Sequence, residues 1–282
     1  METNWTIEPG VFGPRMVMTG AWSLAALDAM ASGGIRELEL NYAKGWKCRS
    51  LSFLTDLSQL LEALVIIDRS IDNVDNVNDL ENIRYLKIHT YCSTEIRFAQ
   101  FPHLEECVLE WRPKALSLFQ HRGVKRLFVN KWSHGRDLAD FSGMLQLEAL
   151  RLYSPTRLES LAGIECLTEL ARFELALAKR LTSLSGIEAL KNLLCLHIGT
   201  CTKIRDISPV ATLNRLRELF LNNCGEIESV RPLRSLQDLE KIIFYESTNV
   251  LDGDLTPLKG LPKLKEVAFQ NRRHYSHTAE DF

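Results

Sequence analysis

The chain has 282 residues, 45% of them hydrophobic and 25% charged, with 34 basic against 36 acidic side chains and a formal charge of −2. That composition belongs to a folded protein, and its balance of charge argues against a nucleic-acid or anionic-membrane partner. No apolar run reaches the ~18–20 residues of a membrane span.

The chain opens Met1-Glu2-Thr3-Asn4-Trp5, with an acid and no basic cluster. A secretory signal is therefore not expected, and a cytoplasmic location is. Residues 1–34 are expected to cover one end of the fold built by the rest of the chain. Val11, Phe12, Met16 and Val17 suit an extended segment, and Trp22, Leu24, Leu27 and Met30 suit a short helix closed by Gly33-Gly34.

From residue 35 onward one phrase recurs. Loose copies open at Ile35, Leu61, Ile83 and Leu104, and strict ones come every 23 residues at Val124, Leu147, Leu170, Leu193, Leu216 and Leu239. A last, truncated copy opens at Leu264. Each begins like Leu147-x-x-Leu150-x-Leu152, an alternation of period two that predicts a half-buried strand. The second half, as in Ile204-Arg205-Asp206-Ile207-Ser208-Pro209-Val210, spaces its apolar residues at three and predicts a 3₁₀ or short helical turn. Pro209, Pro232 and Pro257 fit the first turn of such segments, where a missing N–H costs little. A fixed period of this size means stacked supersecondary units.

The spacing and the Ile-x-x-Ile-Ser-Pro-Val half resemble the leucine-rich repeat family, in particular its short subclass found in the repeat regulator of protein phosphatase 1 and in internalins. The resemblance implies an α/β solenoid curved as a right-handed superhelix. Parallel strands would line the concave face and 3₁₀ or short helical turns the convex face. About eleven repeats would span 35–270, between an N-terminal cap (1–34) and a C-terminal tail (271–282). In the family the ninth position of a repeat holds Asn or Cys bonded to loop backbone, as Cys201 and Cys224 would be. Trp132, Pro155, Ala178 and Ser247 occupy that slot in other copies, so irregular loops are expected, especially before Leu147.

Repeat phase places the third, fifth and seventh residues of each copy on the concave face. Those sites include Glu37, Glu39 and Glu106 early, Arg126, Arg151 and Arg172 in the middle and Glu218 later. Phe128, Tyr153, Phe220, Ile243 and Tyr245 share the face, and Trp111 and Trp132 fall just past their strands, at its rim. Aromatic residues beside arginine are the composition of protein-interface anchors. The expected partner-binding residues are therefore Trp111, Arg126, Phe128, Trp132, Arg151, Tyr153, Arg172, Phe220 and Tyr245.

No catalytic motif is present: there is no GxSxG, HExxH, GxxxxGK[ST] or GxGxxG. Cys195 and His197 sit two apart on one strand, which sets them ~6.5–7 Å apart, too far for a nucleophile–base hydrogen bond. The seven cysteines are an odd number without a CxxC and suit reduced thiols. The polar tail carries His274 and His277, a weak metal pair, and is expected to be partly unstructured. Catalytic residues, metal sites and cofactors are thus expected to be absent. The expected function is that of a monomeric, non-enzymatic bacterial scaffold gripping one protein partner. By analogy with small cytosolic repeat proteins, its most concrete form is an immunity protein occluding the active site of a cognate toxin. The alternatives are a regulatory subunit of a phosphatase or other signalling enzyme, and a host-directed effector.

Overall fold

The structure, a computed structural model, describes residues 3–282. Met1 and Glu2, part of the stretch in which no secretory signal is expected, lie outside them. The chain forms two compact units, 1–127 and 128–282.

The first unit begins with a hairpin of β1 (Trp5–Pro9) and β2 (Pro14–Met18), paired antiparallel. Helix α1 (Leu24–Gly33) comes next. Ser23 caps its first turn by accepting from Ala26 N, and Gly34 ends it at φ 62°, the left-handed conformation a glycine adopts without strain. Parallel strands β3 (Glu37–Asn41), β4 (Ala63–Ile67), β5 (Tyr85–His89) and β6 (Glu106–Glu110) then pair in sequence, beginning on β2.

The turn between β1 and β2 changes what the first parallel strand presents. Val11 N and Gly13 N donate to the Glu37 carboxylate at 2.8 and 3.0 Å, Phe12 N donates to it as well, and Arg15 Nη2 pairs with it at 3.0 Å. A Cβ on Gly10 would collide with that carboxylate, so only glycine admits the approach. Glu39 is held by Arg15 and Lys44. Both glutamates, expected to give the early strands an exposed acidic face, are buried: the hairpin supplies donors over Glu37, and Arg15, Asn41 and Lys44 supply them to Glu39.

The unit boundary falls inside β7 (Arg126–Asn130). In the second unit β8 (Ala149–Tyr153), β9 (Arg172–Ala176), β10 (Cys195–Gly199) and β11 (Glu218–Asn222) succeed one another. The short β12 (Glu226–Ile227), then β13 (Lys241–Phe244), the short β14 (Asn249–Val250), helix α2 (Thr256–Lys259) and β15 (Glu266–Phe269) complete it. Strands β8, β9, β10, β11, β13 and β15 pair in parallel in that order, and β12 pairs with β14. Register obeys the 23-residue period: Leu150 faces Phe173, and Leu196 faces Leu219.

Turns of 3₁₀ type lie behind the strands, as at 164–166, 187–189, 208–212 and 231–235, and Pro209, Pro232 and Pro257 all sit in first turns. Leu147, Leu150, Leu152, Leu158, Ile164 and Leu167 are no more than 1% exposed. Each such side chain contributes about 1.5–3 kcal/mol of burial, which is what holds neighbouring coils together.

The loops after the strands are more regular than expected. Lys131, Ser154, Leu177, Thr200, Asn223 and Glu246, the eighth residues of six successive copies, all adopt φ between 53° and 61°. Five of their amides continue the ladder, as when Leu177 N donates to Gly199 O at 2.9 Å and Thr200 N to Asn222 O at 2.8 Å. The bend therefore persists whether Trp132, Pro155 or Ala178 fills the ninth slot, since a backbone hydrogen bond fixes it. Cys201 and Cys224 bond loop carbonyls as their slot implies, at 3.3 Å to Gly199 O and Ile198 O. In the copy carrying Ser247, Thr248 takes over the inward role, donating to Leu221 O and accepting from Cys224 N.

The polar tail is ordered against the last coil rather than loose. Tyr275 Oη accepts from Val250 N at 2.9 Å, Ser276 Oγ from Leu255 N at 2.9 Å, and Arg272 donates to Glu246 O and Thr248 O. Phe269 stacks on Phe244 and meets Tyr275 and Phe282 edge-on. These residues saturate backbone groups that a further coil would otherwise meet, which composition alone did not reveal.

Candidate functional site

The open strand face of the second unit carries a recess of about 660 Å³. Its existence stems from the seventh-position ladder. Tyr153 is succeeded on the next two strands by Ala176 and Gly199, then by Asn222 and Tyr245. Two small residues in register leave a hollow that larger neighbours wall: Phe128, Arg151 and Tyr153 on one side, Phe220, Asn222 and Ile243 on the other, with Arg172, Glu174, Cys195 and His197 between.

Charge on this face is matched internally. Arg151 Nη2 donates to Glu174 Oε1 at 2.9 Å, and Arg172 Nη1 reaches the same oxygen at 3.3 Å. Arg172 Nη2 also stands 3.7 Å from Glu218. The guanidinium of Arg151 lies over the Phe128 ring at 5.5 Å, and Lys241 Nζ over Phe220 at 5.7 Å. Burial raises the Glu174 carboxyl, but the hydrogen bonds and charges of Arg151 and Arg172 outweigh it and hold the group below the usual carboxylate range. The basic middle expected from the sequence is thus an alternating network, not a free positive patch.

Cys195 and His197 are tuned away from nucleophilic chemistry. Burial pushes the Cys195 thiol up to about 12, and burial likewise lowers His197. Both are neutral near pH 7, whereas an activated pair needs thiolate beside imidazolium. The His197 ring instead rests against Phe220, with centroids 5.3 Å apart.

Of the nine residues expected to contact a partner, the second unit brings Phe128, Arg151, Tyr153, Arg172 and Phe220 around the recess. Tyr153 is 46% exposed, and Tyr245, beyond the recess on the same face, is 44% exposed. Trp111 and Arg126 lie in the first unit, where Trp111 packs on Phe119 at 5.6 Å and Arg126 Nε bonds Glu106 at 2.6 Å. Trp132 is a correction: it is fully buried against Phe141, with centroids 5.5 Å apart, and cannot touch a partner. The ninth slot points inward, so the indole fills space under its own loop. Glu174, which organises two arginines, was not among the expected binding residues. It sits 23 places after Arg151, so the repeat itself carried the signal.

Among the described residues no helix is long and apolar enough to cross a membrane, and no cluster of three His, Cys, Asp or Glu side chains could hold a metal ion. No protein-family model and no curated protein matches the chain. Solved structures do. An internalin (inlF) from Listeria monocytogenes matches with a TM-score of 0.61 at 16% identity, over 92% of this chain and 83% of its own. Internalin C2 of the same organism matches with a TM-score of 0.53 at 20% identity, over 72% of this chain and 87% of its own. Together with the parallel strands in 23-residue register and the 3₁₀ turns behind them, these likenesses show the fold, which is that of the leucine-rich repeat.

Proposed function

We propose that the chain is a non-enzymatic scaffold whose second unit holds a protein partner against its open strand face. The observation that carries this reading is the recess ringed by Phe128, Arg151, Tyr153, Arg172 and Phe220, with Tyr153 and Tyr245 standing exposed. Aromatic side chains are enriched at interface anchors because they bury large areas at low entropic cost, and arginine because its planar guanidinium stacks on rings and pairs with carboxylates. At about 660 Å³ the recess suits one or two projecting side chains rather than a whole domain.

In its most concrete form the partner is a toxin domain in the cytosol of a bacterium, and the chain is a monomeric immunity protein that occludes that toxin's active site. The near balance of charge favours a shaped protein over nucleic acid or an anionic membrane. The test is affinity capture from native cytosol with the wild type and with a Phe128→Ala, Arg151→Ala, Tyr153→Ala variant. One protein should bind the first and not the second, at unchanged circular dichroism. If that protein is a toxin, its activity should fall stoichiometrically on binding. Recovery of a phosphatase or other signalling enzyme would replace immunity with regulation, and equal capture by both baits would move the interface off this face.

A further inference from the structure

Thr90, Cys92 and Arg112 form a polar cluster inside the first unit, apart from the strand-face residues of the recess. The two copies that supply them open at Ile83 and Leu104 and run 21 and 20 residues, short of the 23-residue period. Arg112 falls at a ninth position, the inward slot that Trp132 and Cys201 fill elsewhere, and it is only 3% exposed. Its Nη1 lies 3.2 Å from Cys92 Sγ, and its Nη2 donates to Thr90 Oγ1 at 2.8 Å. Thr90 Oγ1 stands 3.2 Å from Cys92 Sγ. Since that oxygen already accepts from Arg112, its own proton is free to point at the sulfur. The Arg112 Nε is buried without a hydrogen-bond partner.

A guanidinium stays charged in a protein and is costly to bury unless an anion faces it. The Arg112 hydrogen bonds go to Cys92 Sγ, Thr90 O and Thr90 Oγ1, none of them a carboxylate. The group in contact that can carry negative charge is Cys92. We propose that Cys92 is a thiolate site for small hydroperoxides, with Arg112 holding the sulfur anion and Thr90 orienting it.

Cys92 is 9% exposed, in the irregular segment after β5, so an oxidant that reaches it must be small. In the step, a sulfur lone pair attacks one peroxide oxygen. The S–O bond forms as the O–O bond breaks, and sulfur gives up two electrons to the peroxide. The departing hydroxide or alkoxide takes a proton from water, and Cys92 becomes a sulfenic acid. Negative charge passes from sulfur to the leaving oxygen in front of Arg112 and Thr90, whose donors are already in place. The thiol's own equilibrium agrees. Burial raises it, yet the hydrogen bond with Thr90 and the charge and hydrogen bond of Arg112 bring it below the ordinary value. Burial pushes the buried thiols Cys107, Cys195 and Cys224 up to about 12 and Cys201 to about 11.

The experiment treats the full chain with hydrogen peroxide at pH 6 in the presence of a sulfenic-acid trap and reads each cysteine by peptide mass spectrometry. Cys166, exposed and part of the second unit, is the internal control. Cys92 should be trapped at least about tenfold faster than Cys166 despite its lower exposure. Arg112→Lys and Thr90→Val should each slow Cys92 while leaving Cys166 unchanged. Faster trapping of Cys166 in the wild type would overturn the proposal even if both variants fail to fold. So would equal Cys92 rates in folded Arg112→Lys and wild type.

Discussion

Arg151 on β8 and Glu174 on β9 stand directly opposite each other in the parallel register, and Arg151 Nη2 donates to Glu174 Oε1 at 2.9 Å. The pair sits where the recess meets solvent, so it both shapes the hollow and ties two coils together.

Glu174 is held below the usual carboxylate range, so its contribution to stability is present above that range and disappears as pH falls through its lowered value. Because Arg151 is half exposed, the size is under about 1 kcal/mol. Glu174→Gln should therefore be slightly less stable than the wild type at neutral pH and indistinguishable from it in strong acid. Urea unfolding across a pH series measures the gap, and a gap that widens on acidification would contradict the pairing.

Tyr153→Ala should change folding stability by less than about 0.5 kcal/mol, since the ring is exposed. If Tyr153 anchors a partner, the same change should weaken binding by at least about 2 kcal/mol, as hot-spot truncations do. Calorimetric titration with the captured protein separates the two quantities.

Trp132→Ala is the opposite case. The indole is fully buried against Phe141, and its loss should cost about 3–5 kcal/mol of stability through the cavity left behind. Leu196→Ala, also fully buried, should cost about 2–5 kcal/mol. Neither should alter affinity in the fraction that remains folded, a point to check by comparing unfolding midpoints with binding.

Thr200 has a branched side chain and sits at φ 53°. The left-handed conformation costs an L-residue ~1–2 kcal/mol, and glycine's extra chain entropy returns ~0.5–1 kcal/mol of that. Thr200→Gly should thus raise the unfolding free energy by roughly 0.5–1 kcal/mol. A loss of stability would mean that the Asn223 Nδ2 contact to Thr200 Oγ1, at 3.4 Å, outweighs the backbone strain.

The strict 23-residue period made the strands, the 3₁₀ turns and the residues facing each other across strands legible from the sequence alone. Arg151, Tyr153 and Phe220 were placed on the open face for that reason. What misled was position nine of the copy at Val124. Trp132 has the composition of an interface anchor, and only the inward geometry of its slot sends it into the core. Glu37 and Glu39 were misplaced for a different reason. Glu37 is covered by the β1–β2 turn and Glu39 is held by Arg15 of β2; the hairpin belongs to no repeat, so phase could not announce either contact. The cluster at Arg112 was hidden because its copies break the period, and the tail because its order depends on backbone groups of the coil before it.

The matched arginines and glutamates around the recess also govern how an incoming molecule is met. Their fields cancel within a few ångströms, so little long-range pull would draw a partner in from solution. Encounter should then proceed near the unsteered rate of ~10⁵–10⁶ M⁻¹ s⁻¹ and stay nearly flat with ionic strength. Discrimination is left to dissociation, and a mismatched visitor would leave quickly because its contours fail to seat.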